Sequence, residues 1–445
     1  GRQALPDKSL IRFVSDRRLR CGLTRLFTRA SSFGSMRIMD VIRLRSKLWF
    51  WVVLSLLVAG FAGCVFQEEG PMTAERALVR LRPSQYPDFS DDMTYESLKP
   101  ALDQSLTYLR RLDPAAEFRF GPDTYTAGHL IDSIVDFSHL IDRQISGEKL
   151  ARAIRDDYRV YRSVGYDGDG EVLFTGYYEP VLKGSLAPSP QFPYPIYRCP
   201  DDLVTVDLGL FDSKYGSERL VGRKTGQTVV PYFDREAIDS ARRLDNKGDE
   251  LVWISSRIDV FFLQIQGSGR VVLEDGTVLH VNYACGNGRP YRSIGKLLIE
   301  EGKIAREDMS AQRIRAYLKR HPEEMERILN HNPSYVFFRL VDAGPLGALE
   351  VPLTGGRCIA TDLDLFPPGA LAFIESEKPV TAADDVVDSW RPLTRFVLNQ
   401  DRGGAIRGAG RVDVFWGNGA YARTAAGHMQ QEGRLYFIVK KENRN

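Results

Sequence analysis

Cysteine, histidine and long apolar runs are all scarce in this 445-residue chain. Each scarcity removes a class of function. The five cysteines, Cys21, Cys64, Cys199, Cys285 and Cys358, form no CxxC pair, which removes zinc ribbons and thioredoxin-type redox chemistry. The six histidines stand apart with no metal-ligand spacing, and they give a Ser-His-Asp triad little to draw on. Gly267-Ser-Gly269 and Gly286-Asn-Gly288 do not continue into GxGxxG, so nucleotide-phosphate binding is not supported. Asp167-Gly-Asp169-Gly lacks the downstream ligands of a calcium loop and reads as a turn. No cofactor and no metal is expected, and no internal repeat is visible.

The near-neutral balance of +2 joins two unlike pieces. Residues 1–63 carry twelve basic and three acidic side chains, a surplus of nine, which leaves residues 64–445 with a net charge of −7. An acidic remainder argues against nucleic-acid partners. One apolar run exists, residues 48–62, behind Arg37, Arg43, Arg45 and Lys47. It is short for a membrane span and ends in Gly60-Phe-Ala-Gly-Cys64, the layout of a secretory signal. Ala62-Gly63-Cys64 resembles a bacterial lipoprotein cleavage site, with Cys64 as the lipidated residue. Residues 1–35, ahead of Met36, read as an over-long or non-native extension, 36–63 as the signal peptide and 64–93 as a tether. Val65-Phe66 lacks the Asp that commonly retains lipoproteins in the inner membrane, so a lipid anchor on the periplasmic face of a Gram-negative outer membrane is expected. For Cys199, Cys285 and Cys358, buried free thiols are the expected state, although an oxidising periplasm would permit one pair.

Helical spacing marks residues 94–163, through Leu98, Leu102, Leu106 and Leu109 and again through Leu130, Ile134, Phe137 and Ile141. Strand-like runs follow at 171–178, 260–266, 271–274 and 277–281, the last two flanking the hairpin dipeptide Asp275-Gly276. Helices are expected at 292–301 and 310–330. Strands are then expected at 334–341, 348–351, 357–360, 370–374, 394–399, 411–415 and 434–440. Many short strands punctuated by Gly and Pro predict a mainly β, α+β fold, a barrel or sandwich decorated by helices.

Carboxylate chemistry is what remains. Asp413 sits inside the apolar run Val412-Asp-Val-Phe-Trp416, in phase with Phe415. Desolvation there disfavours its charged form and suits a general acid at neutral pH. It could instead pair with Arg411. Asp401, in Gln400-Asp-Arg-Gly-Gly404, stands in a glycine-rich turn, where aspartate is often only a turn former. Tyr177 and Tyr178 point to opposite faces of a strand, and aromatic faces suit sugar rings. Gln264, Gln266 and Ser268 follow period-two spacing and so share a strand face, and Gly267 and Gly269 let a ligand approach closely. Together these features favour a polysaccharide groove over a merely solvated face.

Several motifs then fall into one pattern: Thr175-Gly-Tyr-Tyr-Glu-Pro180, Gln264-Ile-Gln-Gly-Ser-Gly269, Tyr283-Ala-Cys-Gly-Asn-Gly288, Tyr291-Arg-Ser-Ile-Gly-Lys296 and Asn332-Pro-Ser-Tyr-Val-Phe-Phe338. The chain resembles the membrane-bound lytic transglycosylase A family over about residues 165–442, and its C-terminal part resembles the family's three-aspartate (3D) domain, with Asp362, Asp401 and Asp413 as the three aspartates. The resemblance implies a double-psi β-barrel with an inserted smaller β-barrel domain and peripheral helices. Its boundaries would be 94–178 for the helical segment and first part of the barrel, 179–340 for the insert, and 341–445 for the part that completes the barrel. It implies a peptidoglycan lytic exotransglycosylase: cleavage, without water, of the β-1,4 bond between N-acetylmuramic acid and N-acetylglucosamine, giving 1,6-anhydromuropeptides. Asp413 would be the catalytic acid/base, with Asp401 and Asp362 in support. Thr175, Tyr178, Gln266 and Ser268, with Gln264 from the shared-face reading, would bind glycan strands. Two other readings compete: a hydrolase with Asp401 as second carboxylate, and a non-catalytic peptidoglycan-binding lipoprotein.

Overall fold

A computed structural model describes residues 72–143, 147–216, 218–381 and 386–442. The 1–35 extension, the signal peptide and Cys64 lie outside the described residues. Among the described residues no helix is long and apolar enough to cross a membrane.

The first part holds the two helices its leucine stripes predict, although helices are expected throughout 94–163 and Tyr158–Ser163, like Glu117–Phe120 and Asp123–Thr126, is a strand. β1 (Leu78–Arg80) is followed by α1 (Leu98–Leu109), which buries Leu98, Ala101, Leu102, Ser105, Leu106 and Leu109 on one face. A hairpin of β2 (Glu117–Phe120) and β3 (Asp123–Thr126) was not foreseen. It leads into α2 (Ala127–Asp142), whose Thr126 cap accepts a hydrogen bond from the His129 amide. Next come α3 (Glu148–Asp157), β4 (Tyr158–Ser163) and β5 (Val172–Tyr177). Between β4 and β5 the Asp167 carboxylate accepts three backbone amides, the turn expected there.

The chain then builds a second region. It contains β6 (Val181–Ser185), β7 (Tyr194–Tyr197), a separate three-stranded sheet of β8 (Leu203–Asp207), β9 (Arg219–Thr225) and β10 (Thr228–Pro231), and β11 (Glu250–Ile254). α4 (Arg257–Gln266), β12 (Ser268–Val272), β13 (Val278–Gly286), α5 (Ile294–Glu300), α6 (Ala311–Arg320), α7 (Pro322–Asn330) and β14 (Val336–Val341) complete it.

Three expectations are corrected here. Residues 260–266 are helical: α4 buries Val260 and Leu263 against the sheet, and Ile258, Phe261 and Phe262 against α5–α7. A helix covered on both sides gives the same unbroken apolar run as a buried strand. Residues 310–330 form two helices, because Pro322 cannot continue α6 and instead opens α7. Cys199 and Cys285 form a disulfide, and among the described residues Cys358 alone is a buried free thiol.

The last third supplies β15 (Cys358–Ala360), β16 (Leu371–Thr381), β17 (Val387–Asp401), β18 (Arg411–Phe415), α8 (Gly419–His428) and β19 (Gln430–Lys440). Residues 348–351 are a loop, not the expected strand. α8 was not anticipated. Strand order β19-β16-β17-β15-β18-β5 returns to β19, which closes a six-stranded barrel. Phe174, Phe373, Phe396, Val412, Val414 and Phe437 are buried in the core cluster formed by the barrel wall and the helices packed on it. The second ring runs β14-β13-β12-β6-β11-β7, and a single bridge, Arg198 to Phe338, joins its ends.

Candidate active site

Alternation along β18 decides where Asp413 points. Val412 and Val414 enter the core, so Arg411, Asp413 and Phe415 take the other face. β18 lies between β5 and β15, and Asp413 is the register partner of Thr175 on one side and Ala360 on the other. Its Oδ1 is buried and has no hydrogen-bond partner. Burial pushes the carboxyl up to about 6, and nearby Asp401 adds to the rise, while the Thr175 hydroxyl and Arg411 pull it back. Arg411 donates to the Thr175 hydroxyl at 3.3 Å rather than pairing directly with Asp413. Arg411 and Leu173, each two residues from the Asp413–Thr175 pair, also line a cavity of about 500 Å³ with Tyr166, Arg407 and Glu432.

Asp401 is the last residue of β17, not part of the turn beyond it. Ala360 is the register partner of both Asp401 and Asp413, so one strand separates the two aspartates. Their Cα atoms are about 10 Å apart at the usual interstrand spacing. Asp401 is fully engaged: Oδ2 accepts from the Tyr177 hydroxyl at 2.7 Å, and Oδ1 accepts from the Ala348 and Arg402 amides at 2.9 and 2.8 Å. Burial raises its pKa, and these donors oppose the rise. The Tyr177 ring packs on Phe415 at 5.1 Å, which ties the two aspartate strands together. Asp362 follows β15 and accepts from the amides of Gly408 at 2.9 Å and Asp364 at 3.3 Å. It organises the loop that leads into β18.

The glutamine motif is arranged differently from the expected strand face. α4 starts at a Ser256 cap and ends at Gly267, whose φ of +80° is the left-handed helix stop. Gln264 is buried on α4, whereas Gln266 at its end accepts the Tyr178 amide at 2.8 Å. Ser268 opens β12 and is also buried. A Cβ on Gly269 would press on Leu263 and Pro180 and force them to shift, so its smallness serves the packing of α4. The groupings of His, Cys and carboxylates close enough to share an ion number one among the described residues: His321, Glu323 and Glu324. Its Glu324 is already held by Tyr317, Lys303 and Arg327.

Comparison with known proteins accounts for this layout. Residues 173–339 match the family described as the MltA specific insert domain, and residues 357–439 match the 3D domain. Membrane-bound lytic murein transglycosylase A of Escherichia coli (strain K12) is 34% identical over 277 residues, 62% of this chain and 67% of that protein.

The chain belongs to the membrane-bound lytic murein transglycosylase A family.

Solved family structures agree in fold. The Agrobacterium tumefaciens membrane-bound lytic murein transglycosylase superimposes with a TM-score of 0.66 at 30% identity, covering 82% of this chain and 98% of that one. Escherichia coli MltA with bound chitohexaose gives 0.62 at 26% identity, covering 84% of this chain and 98% of that one. Beside the three aspartates of this transglycosylase, two residues of the Thr175–Pro180 motif hold contacts that the sequence does not assign to them. Tyr177 anchors Asp401, a partner 224 residues away that nothing local in the sequence names. Glu179 is buried at 1% exposure, and nothing in its Tyr-Tyr-Glu-Pro setting advertised that.

Proposed function

We propose that Asp413 is the single general acid/base with which this lytic transglycosylase cleaves the β-1,4 bond between N-acetylmuramic acid and N-acetylglucosamine in peptidoglycan. The observation that carries this reading is the buried, unpartnered Oδ1 of a carboxyl that holds its proton to about pH 6. The proton passes from Asp413 to the glycosidic oxygen as the bond to C1 breaks through an oxocarbenium-like state. The Asp413 carboxylate then takes the proton of the muramic C6 hydroxyl, whose oxygen closes on C1. One carboxylate suffices because the nucleophile is part of the substrate and already near its target.

The water-adding hydrolase reading needs Asp401 as a second base. Both of its oxygens are engaged by Tyr177, Ala348 and Arg402, which weighs against it. Asp401 and Asp362 therefore take supporting roles. Thr175, Tyr178, Gln266 and Ser268 belong to the glycan-binding stretches. Gln264, being buried, acts behind them. Residues 179–340 serve as the inserted β domain and 341–445 complete the barrel. The enzyme works in the periplasm at the outer membrane, held by lipid on Cys64. A mature N-terminus other than a lipidated Cys64 would overturn that placement.

Mass spectrometry of peptidoglycan digested with wild type and Asp413→Asn is the test. Anhydro products whose summed mass equals that of the strand cleaved, absent from the variant, are expected. Products one water heavier, or unchanged turnover by Asp413→Asn, would sink the assignment.

A further inference from the structure

Glu179 lies where the chain leaves the barrel strand β5 and enters the second ring at β6. The parallel ladder of β5 and β18 continues past both strands: the Trp416 amide donates to the Tyr177 carbonyl at 2.9 Å, and the Glu179 amide to the Gly417 carbonyl at 2.8 Å. The Glu179 carboxylate reaches further. Its Oε2 accepts from Arg270 Nε on β12 at 2.8 Å and from Asn418 Nδ2, just beyond β18, at 3.4 Å. Its Oε1 faces His280 Nδ1 of β13 at 3.7 Å, and both atoms are buried without a hydrogen-bond partner. Arg270 is itself fixed in the same place, because its amide donates to the Pro180 carbonyl at 2.8 Å. One residue before, Tyr178 donates to Gln266.

A carboxylate is costly to bury unless charge and hydrogen bonds compensate it. Here the compensation comes from both rings at once, from Asn418 behind the strand of Asp413 and from Arg270 of the second sheet. Packing alone would place an apolar residue at such a seam. A charge spanning it fixes distance and direction between the two rings, which sets how a glycan gripped by the second ring presents its scissile bond to Asp413.

We infer that Glu179 is a positioning residue for the transglycosylase reaction, locking the second ring to the strand that carries Asp413 through Arg270 and Asn418. This rests on the reading of Asp413 as the acid. Misalignment of a reacting bond by about 1 Å costs on the order of 100-fold in rate. The experiment is steady-state kinetics on short glycan strands with Glu179→Gln, Arg270→Gln and the double variant. The expected result is a kcat loss of that order in each single variant with KM little changed, and no further loss in the double variant, because one linkage is removed in all three. The alkaline limb of the pH–rate profile should stay where wild type has it, since the surroundings of Asp413 are untouched. A folded Glu179→Gln enzyme with wild-type kcat, a change confined to KM, or a displaced limb would each overturn the role. If Glu179→Gln fails to fold, Arg270→Gln, whose side chain is 35% exposed, carries the test by the same criteria. Asp413→Asn assayed in parallel separates the two claims: activity there removes the acid reading, whereas an inactive Asp413→Asn beside a fully active Glu179→Gln removes only the positioning role.

Discussion

In the barrel that carries Asp413, β19 meets β5 over four register pairs, from Gln430–Thr175 to Gly433–Val172. In the second ring, β7 and β14 meet at one bridge, Arg198 to Phe338, and the next residue, Cys199, is bonded to Cys285 across 86 positions of sequence. The cores differ in the same sense. One continuous cluster fills the barrel and its helices, while the second region divides into three smaller clusters. Cysteine chemistry follows this division. Cys358, inside the barrel, stays a thiol that donates to Gln400 at 2.8 Å, and the ring that lacks a full closing ladder holds the covalent tie. A closed hydrogen-bonded ring around a large core can bury the acid at its wall. The second region is joined more sparsely.

The largest expected effect breaks the chemistry of the barrel and leaves its architecture. Asp413→Asn should lower kcat by about 10³-fold or more, judged against the range for general acid/base catalysis. The same variant should stabilise the fold at alkaline pH. The folded pKa of Asp413 lies above its ordinary 3.8, so ionising it in the fold costs nothing below that value and its full amount above about 6. Thermal melts should therefore show Asp413→Asn gaining up to about 3 kcal/mol at pH 8 and nothing at pH 3. Wild-type kcat should correspondingly fall as pH rises through about 6, because the proton-donating form is lost. A gain over wild type that is the same at both pH values would mean that the Asp413 carboxyl is not desolvated.

Next comes the tie in the second ring. Replacing Cys199 and Cys285 with serine should cost about 2–5 kcal/mol. Hydrogen exchange should quicken in β7, β13 and β14 while the barrel strands keep their protection. Uniform loss across both rings would erase the distinction drawn between them. The smallest effect is expected from Tyr177→Phe, which takes one of three donors from the half-buried Asp401. About 1–3 kcal/mol should be lost in denaturant unfolding, with a modest drop in kcat. No change in either would separate Asp401 from the support of β18.

Much of the barrel could be read from residue order. The run Arg411–Phe415 was expected as a strand and is β18, because its alternation has only one solution with valines inside. The leucine stripe of α1 likewise leaves one face to bury. α4 escaped because it is apolar on two sides, so that neither helical nor strand periodicity survives. The glutamines were consequently assigned a common strand face they do not have. At Cys199 and Cys285 nothing local announces a bond, since partners 86 residues apart meet only when β7 and β13 are placed in one ring.

What residue order determined by itself was the alternation that turns Asp413 away from the valine core, and the motif set that marks the family. Tertiary structure alone decided what surrounds that aspartate. A pKa near 6 requires neighbours from β5 and β15 to exclude water, and the engagement of Asp401 requires Tyr177 from a strand more than two hundred residues earlier in the chain. The same holds for Glu179, whose charge becomes meaningful only where two rings meet around it. Periodicity is local and legible; desolvation and pairing are set by segments distant in sequence that only the fold brings together.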